Sequence, residues 1–116
     1  MTIVVVDDEE RVRLATTAML EGLGCTVRTA QDTTTALTAT ADDTLDLALV
    51  DWTLAGETGL DVIDALRQQH PSLPTILITG ETSSAHLNAA QASGIPLVHK
   101  PVAIDKLKQL IAEVWA

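Results

Sequence analysis

The chain has 116 residues, 47% of them hydrophobic, and its 16 acidic and 7 basic residues give a net charge of −9. This length predicts a single domain spanning residues 1–116, and the apolar content is enough for a packed core and excludes a disordered chain. The acidic balance argues against direct binding to nucleic acid, which depends on Lys and Arg, and is compatible with a site that concentrates a divalent cation.

Strand and helix patterns alternate five times along the chain. Short apolar runs predict strands, and segments with helical periodicity or capping residues predict the helices between them. In chain order the prediction is strand 2–6, helix 9–22, strand 26–29, helix 32–41, strand 46–50, loop 53–59, helix 59–69, strand 74–78, helix 84–93, strand 95–99 and helix 103–114.

Five βα units of this size predict an α/β fold, a doubly wound parallel sheet with helices on both faces, of the flavodoxin-like kind. The second strand alternates in polarity, as an edge strand does, so the polar second and fifth strands are placed at the edges and the first, third and fourth inside. The predicted strand order is therefore 2-1-3-4-5. Ligands of such sheets bind where the order reverses, here between strands one and three.

Charged and hydroxyl residues stand at the carboxyl ends of these strands. Because the carboxyl ends of parallel strands lie at one edge of a sheet, these side chains are expected to converge. They are Asp7 and Asp8 after the first strand, Asp51 after the third, Thr79 and Gly80 after the fourth, and Lys100 after the fifth.

Three carboxylates gathered in this way repel one another. Two of them ~5 Å apart at an effective dielectric constant of ~20 repel by roughly 3 kcal/mol. A hard cation with oxygen ligands relieves that repulsion, and Mg²⁺ suits a site with few carboxylates, several waters and a phosphate.

A carboxylate can also act as a nucleophile that takes up a phosphoryl group. Asp51 is the candidate because it ends the central strand alone, and Asp7 and Asp8 would hold the metal. Thr79 and Lys100 can donate hydrogen bonds to the phosphoryl oxygens, whose charge needs a metal and fixed donors.

The motifs Asp7-Asp8, Asp51, Thr79-Gly80 and Lys100-Pro101 stand in the order and approximate spacing of the receiver domains of two-component response regulators. The chain resembles that family over essentially its whole length. The resemblance implies that Asp51 accepts a phosphoryl group from a histidine kinase or a histidine phosphotransfer domain and loses it slowly by autodephosphorylation. Such a domain acts as a switch that catalyses its own phosphorylation and dephosphorylation, and it is not a conventional enzyme with a separate substrate.

The same resemblance implies how the metal is bound. Mg²⁺ would be held by Asp8, Asp51 and the backbone carbonyl of Thr53, with Asp7 acting largely through water. The Lys100-Pro101 peptide would be cis, which is a minority state of X–Pro bonds.

Two positions depart from the usual pattern of the family, and the residues around Thr79 and Lys100 bear on the context of the domain. Leu97 stands where the family commonly has an aromatic switch residue, and Val102 replaces a frequent Phe. The amino-acid sequence around Thr79 and Lys100 is most similar to that of the C-terminal receivers of bacterial hybrid sensor histidine kinases. A freestanding single-domain response regulator is the alternative.

The same residues bear on several alternative functions and structural roles. An aspartyl-nucleophile phosphatase needs a second acid two residues after the nucleophile, where Thr53 stands, and a flavin carrier needs a phosphate loop that Asp8-Glu9-Glu10 would repel. A receiver used only for docking would lack one of the key residues, and none is missing. Asp7-Asp8 could instead cap a helix, and Thr53 and Glu81 could be surface residues or flank the path of the hydrolytic water.

The chain shows neither a membrane span nor a secretory leader, because no apolar stretch approaches ~20 residues and no basic segment precedes the first strand. A cytoplasmic location and no membrane contact are therefore expected. The single cysteine, Cys25, excludes an internal disulfide and a cysteine-based zinc site. Trp52 is expected to pack over the edge of the pocket beside Asp51.

Overall fold

The computed structural model describes residues 1–80, 88–89 and 91–115. Residues 84–87 and 90 of the predicted helix 84–93, and Glu81, lie outside these residues. The elements are β1 (Thr2–Val6), α1 (Glu10–Gly22), β2 (Thr26–Ala30), α2 (Thr33–Ala39), β3 (Leu47–Asp51), β4 (Thr53–Leu54), β5 (Glu57–Thr58), α3 (Gly59–Gln69), β6 (Thr75–Thr79), β7 (Leu97–His99) and α4 (Ile104–Trp115).

Five of the strands form one parallel sheet in the order β2-β1-β3-β6-β7. This arrangement confirms the predicted order 2-1-3-4-5 and the flavodoxin-like fold. Strands β3 and β6 are buried at every residue, whereas the edge strand β2 has exposed positions. The point where the order reverses lies between β1 and β3, as expected.

The core lies on both faces of the sheet because successive strand residues point to opposite sides. Val4 and Val6 of β1 belong to a cluster that includes residues of α2 and α3. Ile3 and Val5 belong to a second cluster, which includes residues of α1 and α4. The chain has no Phe or Tyr, so both clusters are built largely from Val, Leu, Ile and Ala.

The predicted loop 53–59 contains a short hairpin, in which β4 and β5 pair antiparallel. Strands of two residues leave no periodicity in the sequence, so the prediction missed them. Thr58 then begins α3 through a capping box, since its side chain accepts a hydrogen bond from the Asp61 amide and the Asp61 carboxylate accepts one from the Thr58 amide. The hairpin and the cap fix the path of the chain immediately after Asp51.

A mostly apolar cleft of about 450 Å³ lies between α1 and the segment after Lys100. Its walls include Val12 and Met19 of α1, together with Pro101 and Val102. Among the described residues, no helix has both the length and the apolarity that crossing a bilayer requires.

Candidate functional site

The strand ends bring the predicted side chains to one edge of the sheet. Asp51 is the last residue of β3, Asp7 follows β1, and Lys100 follows β7. A cavity of about 420 Å³ opens at this edge, and it is lined by Asp8, Glu9, Asp51, Thr53, Gly80 and Lys100. The convergence predicted from the parallel strands is therefore present.

Lys100 contacts three carboxylates at once. Its Nζ atom lies 3.1 Å from Asp51 Oδ2, 3.2 Å from Asp7 Oδ2 and 3.3 Å from Glu9 Oε1. The Lys100 amide also donates a hydrogen bond of 2.7 Å to the Thr79 carbonyl, which holds this residue beside the end of β6. The Lys100–Pro101 peptide is cis, as the family resemblance implied.

Asp7 is held rigidly beneath the cavity. It is 5% exposed, its Oδ1 accepts a hydrogen bond of 2.9 Å from the Glu9 amide, and its carbonyl accepts one of 2.6 Å from Arg13 Nη1. The residue that caps α1 is Glu9, and no side chain completes that cap. Asp7 and Asp8 are therefore not the helix cap that was considered as an alternative, although Asp7 does bind the amide of the capping residue.

Asp8 is exposed and faces the loop that follows Asp51. Its Oδ2 accepts a hydrogen bond of 3.0 Å from the Ala55 amide, 47 residues away in the sequence. Thr53, in the same loop, lines the cavity and is exposed. The carboxylate of Asp8 thus connects the end of β1 to the hairpin after β3.

The acidic groups fit a hard cation. Asp7, Asp8, Glu9 and Asp51 each offer a carboxylate oxygen, and these oxygens lie within 4.8 Å of one another. Only oxygen donors are present in this group, which is the ligand chemistry of Mg²⁺. The ammonium of Lys100 balances one of the four negative charges, so an additional cation would relieve the remaining repulsion.

Burial and neighbouring charges shift the pKa values of Asp51 and Lys100. Burial, together with the negative charge of Asp7, raises the pKa of Asp51 to about 6, although the hydrogen bond and charge of Lys100 and a hydrogen bond from the Thr53 backbone oppose the rise. Burial also disfavours the charged form of Lys100, but Asp51 and Asp7 outweigh it and hold the lysine pKa above its usual range. At neutral pH Asp51 is therefore mostly ionised beside a permanent cation, as a nucleophilic carboxylate must be.

The start of α3 is packed directly against the carboxyl end of β3, beside Asp51. A Cβ atom added to Gly59 would lie 2.5 Å from the Asp51 carbonyl oxygen and 2.7 Å from Leu77 Cδ2. The Gly59 amide donates a hydrogen bond of 2.8 Å to the Trp52 carbonyl. Glycine is needed here because no side chain fits between the helix and the strand.

Thr79, Trp52 and Leu97 are buried or partly buried and are not among the described residues that line the cavity. Thr79 is 1% exposed, and it is not among the described residues that line the cavity, although its backbone supports Lys100. Trp52 is 6% exposed and packs in the core cluster on the α2 and α3 side, so the expectation that it covers the pocket edge is wrong. Leu97 is partly buried against the same cluster.

Glu9 is the residue of the site that the sequence prediction missed. Its position in the acidic run Asp8-Glu9-Glu10 was noted only as a feature that repels phosphate. A third consecutive acid, directly after the pair Asp7-Asp8 that is predicted to bind the metal, could have indicated a role in the pocket. The contact itself depends on the side-chain conformation of Glu9, which no sequence pattern specifies.

Comparisons with known proteins agree with this fold and pocket. Residues 3–112 match the family described as the response regulator receiver domain. The chain is 33% identical over 119 residues to the chemotaxis protein CheY of Pseudomonas aeruginosa, with 99% of this chain and 96% of that protein covered. It is 32% identical over 108 residues to the transcriptional regulator NtrC of Salmonella typhimurium, with 92% of this chain covered.

A solved structure gives the same result. The chain matches a response regulator protein from Burkholderia pseudomallei with a TM-score of 0.79 and 25% identity, over 97% of this chain and 71% of that one. That structure contains a phosphorylated aspartic acid and a calcium ion.

The chain belongs to the response regulator receiver domain family. Membership in this family sets aside the flavin carrier and the aspartyl phosphatase as explanations of the pocket. The chain spans 23% of the length of NtrC but nearly the whole of CheY. The matched relatives are therefore both freestanding receivers and receivers within longer regulators.

Proposed function

We propose that Asp51 accepts a phosphoryl group from a phosphohistidine of a histidine kinase or a histidine phosphotransfer domain. The observation that carries this proposal is the contact of 3.1 Å between Lys100 Nζ and Asp51 Oδ2, in a cavity that opens to solvent. The contact pairs a nucleophilic carboxylate with a fixed cation, and the cavity provides the space for a donor to approach.

In the proposed reaction a carboxylate oxygen of Asp51 attacks phosphorus and forms a P–O bond. The P–N bond of the phosphohistidine breaks, and its electron pair stays on the imidazole nitrogen, which takes a proton from solvent. Autodephosphorylation follows when a water oxygen attacks phosphorus and gives up a proton to solvent. The bond between phosphorus and the Asp51 oxygen breaks, its electron pair returns to the Asp51 carboxylate, and inorganic phosphate leaves.

The acidic group would hold Mg²⁺ through Asp8, Asp51 and the backbone carbonyl of Thr53, with Asp7 acting through water. This assignment rests on the four clustered carboxylate oxygens and on the position of Thr53 at the cavity. When bound, the ion supplies positive charge that neutralises the phosphoryl oxygens. Asp8 and Asp7 orient it from the β1 side.

Lys100 and Thr79 would stabilise the phosphoryl group after transfer. Lys100 donates from its ammonium to a phosphoryl oxygen, which takes over the charge that Asp51 loses as the acyl phosphate forms. The Thr79 hydroxyl, at the end of β6 beside Lys100, would donate a second hydrogen bond. The phosphorylated aspartic acid in the related Burkholderia structure supports this chemistry for the family.

We place the domain in a cytoplasmic two-component system, where donor phosphohistidines are made. The relatives found here, a chemotaxis protein and a transcriptional regulator, support a response regulator as the protein that carries it. A hybrid sensor histidine kinase is the second candidate for the protein that carries the domain. It is favoured by the amino-acid sequence around Thr79 and Lys100 and by Leu97 at the usual switch position.

The proposal is tested by incubating the protein with acetyl phosphate and Mg²⁺ and measuring its intact mass. The parent is expected to gain the mass of one phosphoryl group, and Asp51→Asn is expected to gain none. Asp64→Asn, which removes an exposed carboxylate of α3, is the matched control and is expected to label like the parent. An Asp51→Asn protein that labels as fast as the parent would overturn the assignment.

A further inference from the structure

The contact between Lys100 and Glu9 has no part in the function proposed above. The Glu9 side chain is 64% exposed, whereas those of Asp7 and Asp51 are 7% and 5% exposed. Glu9 therefore meets the ammonium from the solvent side, while the two aspartates meet it from within the protein. A phosphoryl donor would approach from the side on which Glu9 lies.

The backbone of Glu9 is fixed, so its side chain starts from a defined position. Its amide donates to Asp7 Oδ1 at 2.9 Å, and its carbonyl accepts a hydrogen bond of 2.9 Å from the Arg13 amide in the first turn of α1. The residue is held from both sides at the junction of β1 and α1. Only the side-chain torsions remain free to make or break the contact with Lys100.

The position of the contact on the ammonium makes it consequential. The Lys100 ammonium donates hydrogen bonds to Asp51 and Glu9 and forms an ion pair with Asp7. A phosphoryl oxygen on Asp51 would lie on the solvent side of this ammonium, where Glu9 already holds one of its N–H donors. Asp7 is buried and bound to the Glu9 amide, whereas an exposed glutamate can turn into water at small cost.

We propose that Glu9 is a positioning residue that holds Lys100 on the solvent side of the pocket and competes with phosphoryl oxygens for its ammonium. Glu9 thereby limits how tightly a phosphoryl group is held on Asp51. This inference rests on the proposed function, because it concerns the same lysine and the same acceptor.

Three variants separate the contact from the charge. Glu9→Gln removes the charge and weakens the contact, whereas Glu9→Asp keeps the charge on a side chain that is one methylene shorter. Glu10→Gln removes an equal charge one residue further on, at an exposed position of α1, and serves as the control. Thermal unfolding of each variant first checks that it is folded.

The first measurement is the NMR signal of the Lys100 ammonium in the metal-free protein, which needs no phosphorylation. The chain has three lysines, and the other two, Lys106 and Lys108, lie exposed on α4, so the signal can be assigned. We expect the Lys100 signal to shift in Glu9→Gln and Glu9→Asp and to stay in place in Glu10→Gln. An unmoved signal in both Glu9 variants would overturn the inference.

The second measurement is the affinity for beryllium fluoride, a phosphoryl analogue, in the presence of Mg²⁺. We expect Glu9→Gln to bind it about threefold more tightly and Glu9→Asp about twofold, the size of change that one exposed ion pair allows. Glu10→Gln should match the parent. Equal gains in Glu9→Gln and Glu10→Gln, or a Glu9→Asp protein identical to the parent, would show a general charge effect and contradict the proposal.

The two proposals fail in different ways. A parent protein that is not labelled by acetyl phosphate contradicts the proposed function, whatever the Lys100 signal does. A parent that is labelled, with affinities for beryllium fluoride that are the same in all variants, contradicts the role of Glu9 alone.

Discussion

The ammonium of Lys100 and the carboxylate of Asp51 form a direct ion pair, with 3.1 Å between Nζ and Oδ2, and both side chains are largely buried. A buried ion pair contributes little net stability, but removing one partner leaves the other charge uncompensated. The pair therefore prepares the site for an exchange in which a new anion replaces the charge of Asp51. Several consequences of this arrangement can be measured.

The stability of the metal-free protein should depend on the protonation of Asp51. Its pKa is raised to about 6 in the folded protein from an ordinary value of 3.8, so the folded state binds this proton more tightly than the unfolded chain. The stabilisation by protonation is complete below the ordinary value and is lost as the pH rises through about 6. Between about pH 7.5 and pH 5 we expect the contribution of Asp51 to the free energy of unfolding to increase by about 1 kcal/mol.

Urea unfolding at the two pH values, with a chelator present, measures this effect. Asp51→Asn removes the titrating group, so its free energy of unfolding should lack this increase. A parent protein and an Asp51→Asn variant with the same dependence on pH would show that other groups control the stability in this range.

Mg²⁺ affinity should depend on Asp8. The Asp8→Asn variant keeps an oxygen that can accept the Ala55 amide but removes one of the clustered charges, so Mg²⁺ affinity is expected to fall at least about tenfold. The metal-free melting temperature should rise, because one source of repulsion is gone. Calorimetric titration measures the first effect and thermal unfolding the second.

Asp64→Asn again provides the matched control, since it removes a carboxylate from the exposed side of α3. It should change neither quantity by a comparable amount. An Asp8→Asn protein with the affinity of the parent would exclude Asp8 as a ligand.

The fold and the meeting of Asp7, Asp51 and Lys100 could be predicted because they follow from topology. Once parallel strands are recognised, the residues at their carboxyl ends must lie at one edge of the sheet. What depends on side-chain torsions could not be predicted, and both the contact of Glu9 with Lys100 and the burial of Trp52 are of this kind. The hairpin of β4 and β5 was missed because its strands are too short to show a period.

Gly59 should not tolerate a side chain. Alanine normally favours a helix over glycine by about 1 kcal/mol, but here its Cβ would overlap the Asp51 carbonyl and Leu77. We expect Gly59→Ala to lower the free energy of unfolding by about 1–3 kcal/mol. Gly22, at the end of α1, has no atom within 4 Å of an added Cβ, so Gly22→Ala should be neutral or stabilising.

Urea unfolding of the two alanine variants makes this comparison within one protein. Equal effects at the two positions would mean that helix propensity, and not the close approach of α3 to β3, decides the outcome.

The apolar cleft beside α1 should accept a larger side chain at position 102. Val102 is half-buried at its wall, and a cleft of about 450 Å³ has room for an aromatic ring. We expect Val102→Phe to raise the free energy of unfolding by about 0.5–2 kcal/mol, as filling of cavities commonly does. The matched control is Ala103→Phe, which places the same ring at an exposed neighbour that does not line the cleft.

Both variants are compared by chemical denaturation at the same pH. A similar change in the two, or a loss of stability in Val102→Phe, would indicate that the ring does not enter the cleft.

The burial of Trp52 determines what the intrinsic fluorescence of this protein can report. The chain lacks tyrosine, so its near-ultraviolet fluorescence comes from tryptophan alone, and one of the two tryptophans directly follows Asp51, the proposed acceptor. That ring belongs to the packed cluster behind the strand and is not part of the wall of the pocket. An ion or a phosphoryl group bound at Asp51 would therefore not quench the fluorescence of Trp52 by direct contact. Any change in the fluorescence of Trp52 would instead report a rearrangement of the core. This side chain can therefore show whether binding at the edge of the sheet alters the packing of the interior.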